Sequence, residues 1–294
     1  MERSAAVLYP GEMGCAVARI LVGEGWSLCT HLWGPSLAVC AAAEATGIAD
    51  LGSLDQVLAA VDLVISLVPP AVAVETAELV AGAARRSGRQ PLYLDANSVA
   101  PATVADVAAA AAAGGLDCVD GSFIGSAADL GKRTRLYLSG SRAGELVDAL
   151  PHVFQATDLG PQAGAASAFK LAFAGFNKGL VALFLEVMGA GAVAGRPDEL
   201  LRCLRDFYPG TVETLERLLP SYPLHAARRA EEMDELARWL SSEGRDPALA
   251  GAAGDVLRRA AARGLDGTRR WTFAEALAAL AIAPPNDDDA AAKP

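Results

Sequence analysis

Up to residue 157 the chain alternates short, fully apolar runs with alanine-rich stretches of helical period; from Gly164 onward only the helical period remains. Apolar runs of strand length, separated by helix-length segments, are what a parallel sheet requires, because a strand covered by helices on both faces has no wet side. The expected strands are Ala5–Tyr9, Leu28–Leu32, Leu63–Val68 (stopped by Pro69-Pro70), Pro91–Asp95, Leu116–Asp120, Arg135–Ser139 and His152–Thr157. Helices are expected at Gly14–Gly23, at Ser36–Thr46 behind a Pro-Ser cap, from Pro101 to Ala113, and near Glu145–Leu150. Parallel strands joined in this way make right-handed crossovers, so the expected N-terminal fold is a doubly wound α/β sheet.

Beyond Gly164 the pattern predicts one helix over Ala165–Ala194, ended by Gly195-Arg196-Pro197. About 30 residues at ~1.5 Å each give roughly 45 Å, a length that holds only when packed from end to end. That helix is the expected spine between the domains, and helices follow at Asp198–Phe207, Thr211–Leu219, Leu224–Ser241, Pro247–Arg263 and Thr272–Ala281. The expected organisation is an α/β domain over residues 1–160, an all-α domain over 161–283 and a polar, disordered tail over 284–294. Leu180, Val181, Leu183, Phe184, Leu185 and Val187 leave the spine few polar positions, so a homodimer burying it through the C-terminal domain is expected.

A net charge of −10 over 294 residues weighs against nucleic acid as a partner. The five cysteines, Cys15, Cys29, Cys40, Cys118 and Cys203, form no CxxC pair and stand at no ligand spacing from a histidine, so no metal site is expected and the thiols are expected to be reduced. No apolar run reaches the ~20 residues of a membrane span; Leu180 to Ala194 comes nearest and is interrupted by Glu186. The N-terminal apolar run is too short for a signal peptide, so a cytoplasmic protein without membrane partners is expected.

Tyr9-Pro10-Gly11-Glu12-Met13-Gly14 falls between the first strand and the first helix, where the glycines of a dinucleotide fingerprint let backbone approach a pyrophosphate at a helix N-terminus. Tyr9 stands in the place of the first glycine of G-x-G-x-x-G. The loop reads as a cofactor cradle built by Gly11, Glu12, Met13 and Gly14, or else as a tight structural turn.

Three further segments follow in order: Ser66-Leu67-Val68-Pro69-Pro70, Asp95-Ala96-Asn97-Ser98-Val99-Ala100-Pro101, and Gly164-Ala165-Ala166-Ser167-Ala168-Phe169-Lys170. Together with the first loop, the set resembles the 6-phosphogluconate/β-hydroxyacid dehydrogenase superfamily. There a G-x-G-x-M-G turn, a loop over the adenosine, a D-x-S-x-x-x-P loop by the nicotinamide ribose and a G-x-x-x-x-x-K helix entry occur in the same sequence. The resemblance implies a Rossmann domain, a small-molecule substrate, cofactor contacts from Val68, Pro69 and Asn97, and a catalytic role for Lys170. Leu224-His225-Ala226-Ala227-Arg228-Arg229-Ala230-Glu231-Glu232-Met233 resembles the R-x-x-x-E-M-E run of a bacterial subgroup with its own helical C-terminal domain, and the likeness covers most of residues 5–260.

Thr30-His31-Leu32-Trp33-Gly34-Pro35-Ser36 carries no carboxylate where NAD-users bind both ribose hydroxyls, so NADP(H) is expected in preference to NAD(H). Ser36 is either a phosphate contact or an ordinary helix N-cap. Lys170 lies in an apolar segment, where a charge is costly unless it is used; the plain alternative is a lysine that snorkels to solvent. As a general acid/base it would exchange the substrate's hydroxyl proton. The superfamily's asparagine one turn later is Ala174 here. Asn177 and Lys178 lie two turns on from Lys170; they replace the asparagine or cap that face towards solvent, and Lys178 is expected to depress the Lys170 pKa by repulsion.

Asp120-Gly121-Ser122-Phe123-Ile124-Gly125-Ser126 corresponds to the substrate-carboxylate loop D-x-P-x-S-G-G, with Ile124 in place of its serine. The substrate-binding set is then Ile124, Gly125, Ser126, Ala174, Lys178 and Arg228, with Ser122 beside Lys170 and Asn177 in the catalytic set. Backbone N–H groups of Gly125 and Ser126 can hold an anion, but the lost hydroxyl points to a larger or less polar substrate than a 3-hydroxy acid. Arg228 and Glu232 form an exposed helical ion pair, or, as the resemblance implies, contribute to a pocket of their own or of a partner subunit. Three activities follow: a β-hydroxyacid dehydrogenase-type reaction, imine reduction on the same fold, or cofactor binding by a scaffold without turnover.

Overall fold

A computed structural model of the chain describes residues 3–32, 45–266 and 268–282. The expected helix at Ser36–Thr46 falls mostly outside the described residues, and Ser36 and the 284–294 tail wholly so. The chain divides into two compact units, Met1–Lys170 and Leu171–Pro294.

The first unit is built on a sheet of β1 (Ser4–Leu8), β2 (Ser27–Thr30), β3 (Ala49–Asp50), β4 (Leu63–Ser66), β5 (Leu92–Asp95), β6 (Cys118–Ile124), β7 (Arg135–Ser139) and β8 (Thr157–Asp158), in the order β3-β2-β1-β4-β5-β6-β7-β8. Alternate residues of one strand enter different cores. Val7, Ile65 and Leu94 pack on one face with Val17 and Leu21, while Leu8, Val64 and Tyr93 pack on the other with Val80 and Val107. Both faces are dry, which is why the central strands carry unbroken apolar runs. The helices are α1 (Glu12–Gly23), α2 (Leu54–Ala60), α3 (Ala73–Ser87), α4 (Pro101–Ala112) and α5 (Ala143–Ala149).

The sheet departs from the sequence expectation in three places. First, β7 runs antiparallel to β6, with Ser122 opposite Tyr137, because residues 125–134 form a loop with one 3-10 turn at Ala127–Asp129 and no crossover helix. Second, His152–Phe154 is a 3-10 turn, so the last strand shrinks to Thr157–Asp158. Third, β3, α2 and α3 were not anticipated. Helix α3 buries Ala77, Val80, Ala81 and Ala84 at helical spacing. Pro69-Pro70 masked it by reading only as a stop, although Pro70 also opens the 3-10 turn Pro70–Val72 that leads into α3.

Helix α6 (Ala165–Val193) begins in the first unit and continues into the second. There follow α7 (Pro197–Phe207), α8 (Pro209–Leu218), α9 (Tyr222–Ser242), α10 (Ala248–Ala262) and α11 (Phe273–Leu277), the last running into a π-helical turn at Ala278–Ile282. The second core joins Val181, Phe184, Leu185 and Met188 of α6 to Leu215, Tyr222, Met233, Leu257 and Leu277. By length and composition α6 is apolar enough to cross a membrane, but here it is a core helix. Much of the apolar spine is thereby consumed within its own unit, while Phe173, Phe176, Leu183 and Val193 of α6 remain exposed, Phe176 and Leu183 at 69% and 60%.

Candidate functional site

Strand β1 lies between β2 and β4, so the connections from its two sides leave in opposite directions and open a crevice at the carboxyl ends of the strands. The chain leaves β1 through Tyr9, whose φ of +58° is left-handed, and the Gly11 N–H donates to the Tyr9 carbonyl at 2.7 Å. This is the position where the fingerprint has its first glycine; the backbone keeps the left-handed geometry although the residue has a Cβ. Gly14 is sterically fixed: a Cβ there would lie 3.1 Å from the Tyr9 carbonyl oxygen and 3.3 Å from Val7 Cγ1. Gly11 is the N-cap of α1 and offers no side chain to the first-turn N–H groups. A bare N-cap and a helix pressed onto its strand are the features that suit a pyrophosphate, so these residues fit a dinucleotide. Glu12 is exposed in the first turn of α1, and Met13 packs partly buried against the core.

The loop after β4 carries the Val68 and Pro69 expected to contact a cofactor. Val68 is buried in the core and Pro69 is exposed. Asn97 is turned inward: its Nδ2 donates to Asp95 Oδ1 at 2.5 Å and to Ser66 Oγ at 3.1 Å, which makes it a brace between β4 and β5. At the end of β2 the sequence shows no carboxylate, yet Asp50 of β3 is registered opposite Thr30 and its Oδ1 lies 3.8 Å from His31 Nδ1. Strand pairing thus brings in an acidic group that linear reading missed.

On β6, Asp120 is 1% exposed and fully engaged. Its Oδ2 accepts from Ser139 Oγ and from the Ser167 N–H, both at 3.0 Å, and its Oδ1 accepts from Ser167 Oγ at 2.7 Å. Ser139 Oγ in turn accepts from the Ala166 N–H at 3.0 Å. The Tyr137 and Phe169 rings meet with centroids 4.6 Å apart, adding an apolar contact to the same turn. Lys170 follows in α6, half-buried. Ser122 is fully buried, with no hydrogen-bond partner for its Oγ among the described residues.

Ile124 is half-buried, and Gly125 and Ser126 are exposed at the end of β6. Gly125 has a φ of +132°, and a Cβ there would collide with Thr134, so only glycine closes this turn. The Ser126 side chain is committed to Asp129, accepting from its N–H at 3.2 Å and donating to its carboxylate at 2.9 Å. What remains for an anion at Ser126 is main chain.

In the second unit Ala174 and Asn177 are half-buried on α6. Lys178 is 7% exposed; its Nζ lies 2.5 Å from Glu232 Oε2 and donates to the Ala174 carbonyl at 3.3 Å, while Arg228 reaches Glu232 Oε1 at 2.9 Å. This corrects the expectation of Lys178 as a free cation repelling Lys170, since a carboxylate in contact cancels most of its field. Arg228 keeps a 64% exposed side chain, so its ion pair is of the solvent-exposed kind.

Sequence reasoning named the crevice loops but missed Asp95 and Asp120 as a buried pair. The available signal was an aspartate ending each of two apolar runs. The two residues are paired across β5 and β6. No group of metal-ligating side chains occurs among the described residues.

A doubly wound sheet with a close-packed glycine turn at its switch point is a dinucleotide-binding domain. The family model described as the NAD binding domain of 6-phosphogluconate dehydrogenase matches residues 6–157, and the chain belongs to that family. Residues 193–260 match a domain of unknown function, DUF1932. Among solved structures, a conserved hypothetical protein from Sinorhizobium meliloti is 26% identical over 96% of both chains, with a TM-score of 0.76. A conserved protein of unknown function, described as structurally similar to 3-hydroxyacid dehydrogenases, is 27% identical over 90% of this chain and 100% of that one, at 0.70. The 3-hydroxyisobutyrate dehydrogenase of Mycobacterium tuberculosis shares the fold at 20% identity over 95% and 99% of the two chains, at 0.74. No curated protein matches the sequence.

Burial pushes the Asp95 carboxyl up to about 6; the Asn97 backbone N–H opposes this and the Asp120 charge adds to it. The raised value means that the native state holds this proton more tightly than the unfolded chain. Ionised Asp95 therefore destabilises the fold above about pH 6, by about 3 kcal/mol at ~1.4 kcal/mol per pH unit, and this penalty fades as pH falls towards 4. Asp95→Asn should gain stability relative to the native chain as pH rises from 4 to 6.5, followed by urea unfolding of both proteins; a pH-independent difference would contradict the assignment.

Proposed function

We propose that the chain is an NADP(H)-linked oxidoreductase of the β-hydroxyacid dehydrogenase type, acting on a small carbonyl or hydroxy compound. The observation that carries this reading is Lys170, a half-buried lysine in the apolar opening of α6, whose first turn is bonded to the sheet that forms the dinucleotide domain. A bound nicotinamide would supply or accept the hydride. Lys170 would give its Nζ proton to the carbonyl oxygen during reduction, or take the hydroxyl proton during oxidation. Gly11 and Gly14 let backbone approach the pyrophosphate, with the N–H groups of Glu12 and Met13 in the same turn. Ile124 in place of a loop serine favours a substrate less polar than a 3-hydroxy acid, and also supports imine reduction as a second reading.

A screen of hydroxy acids, alcohols, ketones and imines with both nicotinamides tests the reading. Turnover of imines alone favours the second reading, and binding without turnover marks a scaffold. Lys170→Met should leave NADPH affinity nearly unchanged while turnover falls by ~10²–10⁴-fold, and Lys170→Arg should not restore it, because a guanidinium does not release its proton. A folded Lys170→Met protein of normal activity ends the proposal.

NADP(H) is proposed over NAD(H) because the described end of β2 carries no carboxylate and Asp50 is held by the Gly52 N–H at 3.0 Å and lies beside His31. NADPH should show the lower dissociation constant at matched ionic strength; tighter NADH would instead give Asp50 the role of repelling a 2′-phosphate.

A homodimer through the helical unit is proposed on the exposure of Phe176 and Leu183. Sedimentation should give about twice the 30.2 kDa chain mass at micromolar concentration, and a monomer there would refute it.

A further inference from the structure

Helix α6 starts without a local cap. The residue before it is Gly164, with a φ of +87° and no side chain to meet the first-turn N–H groups. The Ala165 N–H donates to the Gln162 carbonyl at 3.3 Å; those of Ala166 and Ser167 cost free energy if left unmet in a buried setting, so a side chain from elsewhere in the fold must satisfy them. Here β6 and β7 do so. Asp120 receives the Ser167 N–H and hydroxyl, and Ser139 receives the Ala166 N–H while itself donating to Asp120. Asp120, Ser139, Ala166 and Ser167 are all buried, so water cannot stand in for any of them. The carboxylate also sets a negative charge against the positive end of the α6 dipole.

We propose that Asp120 is a positioning residue for Lys170. Resting on the reading of Lys170 given above, this assigns to a carboxylate on β6 the register and the electrostatic setting of a side chain one turn further along α6. Lys170 stands three residues after Ser167, on the neighbouring face, so the bonds that fix Ser167 fix where Nζ starts from. An N-cap supplied from within the helix's own segment would stabilise the turn equally well but leave it free to shift over the sheet. A cap supplied by β6 ties the turn to the strand edge where the dinucleotide loops end.

The test compares Asp120→Asn and Ser167→Ala with the native chain in three measurements. Amide hydrogen exchange reports the first turn of α6. Competitive labelling with trinitrobenzenesulfonate across pH, read by peptide mass spectrometry, reports the titration of Lys170 without any substrate. Steady-state kinetics follow on the best substrate found in the screen. In Asp120→Asn the amide oxygen can keep the bonds from Ser139 Oγ and the Ser167 N–H while the NH2 group turns to Ser167 Oγ, so the hydroxyl bond reverses direction and the charge opposing the dipole is lost. First-turn exchange should rise, the Lys170 labelling midpoint should move to lower pH, and kcat should fall by ~10²-fold with KM and NADPH affinity unchanged, the scale expected for ~1 Å of misplacement. Ser167→Ala removes only the 2.7 Å hydroxyl bond and should shift each quantity in the same direction by less. A folded Asp120→Asn protein with faster first-turn exchange but an unmoved labelling midpoint and unchanged kcat overturns the proposal. If Asp120→Asn does not fold, an unmoved midpoint in Ser167→Ala overturns it as well. A moved midpoint in a protein whose native form turns nothing over upholds the positioning and refutes the oxidoreductase reading instead.

Discussion

The carboxylate of Asp120 is the interaction on which the first unit's site is organised. An isolated buried carboxylate is costly in a protein interior, by several kcal/mol, and survives as an anion only when its oxygens are filled with donors. Asp120 collects three, from Ser139 Oγ and from the backbone and side chain of Ser167. Two strands and the first turn of α6 are joined at one group. Its neighbour across the strand pair, Asp95, is as deeply buried but less well served: Asn97 donates twice to Oδ1, and Oδ2 has no partner among the described residues. The two carboxyl groups thus differ in surroundings: Asp120 has its oxygens filled with donors, while burial pushes the Asp95 carboxyl up.

Strain is concentrated at the other edge of the crevice. Tyr9 holds a left-handed backbone that costs a non-glycine residue roughly 1–2 kcal/mol. The Gly11 N–H bond to its carbonyl and the packing of its ring on the core hold it there. Left-handed non-glycine residues persist where the surroundings over-determine them, and such places cluster at binding loops. Tyr9 thus carries a left-handed turn at the place of the first fingerprint glycine, and at Gly14 a Cβ would crowd the Tyr9 carbonyl oxygen at 3.1 Å.

In the second unit the charged residues of α6 and α9 serve one another. Lys178 is buried against Glu232, which also accepts from Arg228. Breaking a buried ion pair from one side leaves an uncompensated charge, so this trio holds α9 against α6 in one register. Arg228 and Glu232 are neighbours on one helix and legible as such in the sequence, whereas Lys178 precedes Glu232 by about 54 residues and only folding brings it to them.

By itself the sequence determined the class of the fold, the glycine turn after the first strand and the change to all-helical structure at Gly164, because each depends on local properties: apolar runs, glycine spacing and helical period. The antiparallel turn of β7, helix α3 behind its prolines, the Asp50 carboxylate beside β2 and the Asp95–Asp120 pair were decided by tertiary structure. Strand pairing juxtaposes residues tens of positions apart, and no local pattern records which neighbour a side chain will meet. The same reason explains Asn97 and Ser126, polar residues in loops that looked ready for a ligand and that folding turned onto Asp95, Ser66 and Asp129 instead. A polar side chain announces its chemistry in the sequence, but which partner satisfies it depends on distances that exist only once the chain has closed on itself.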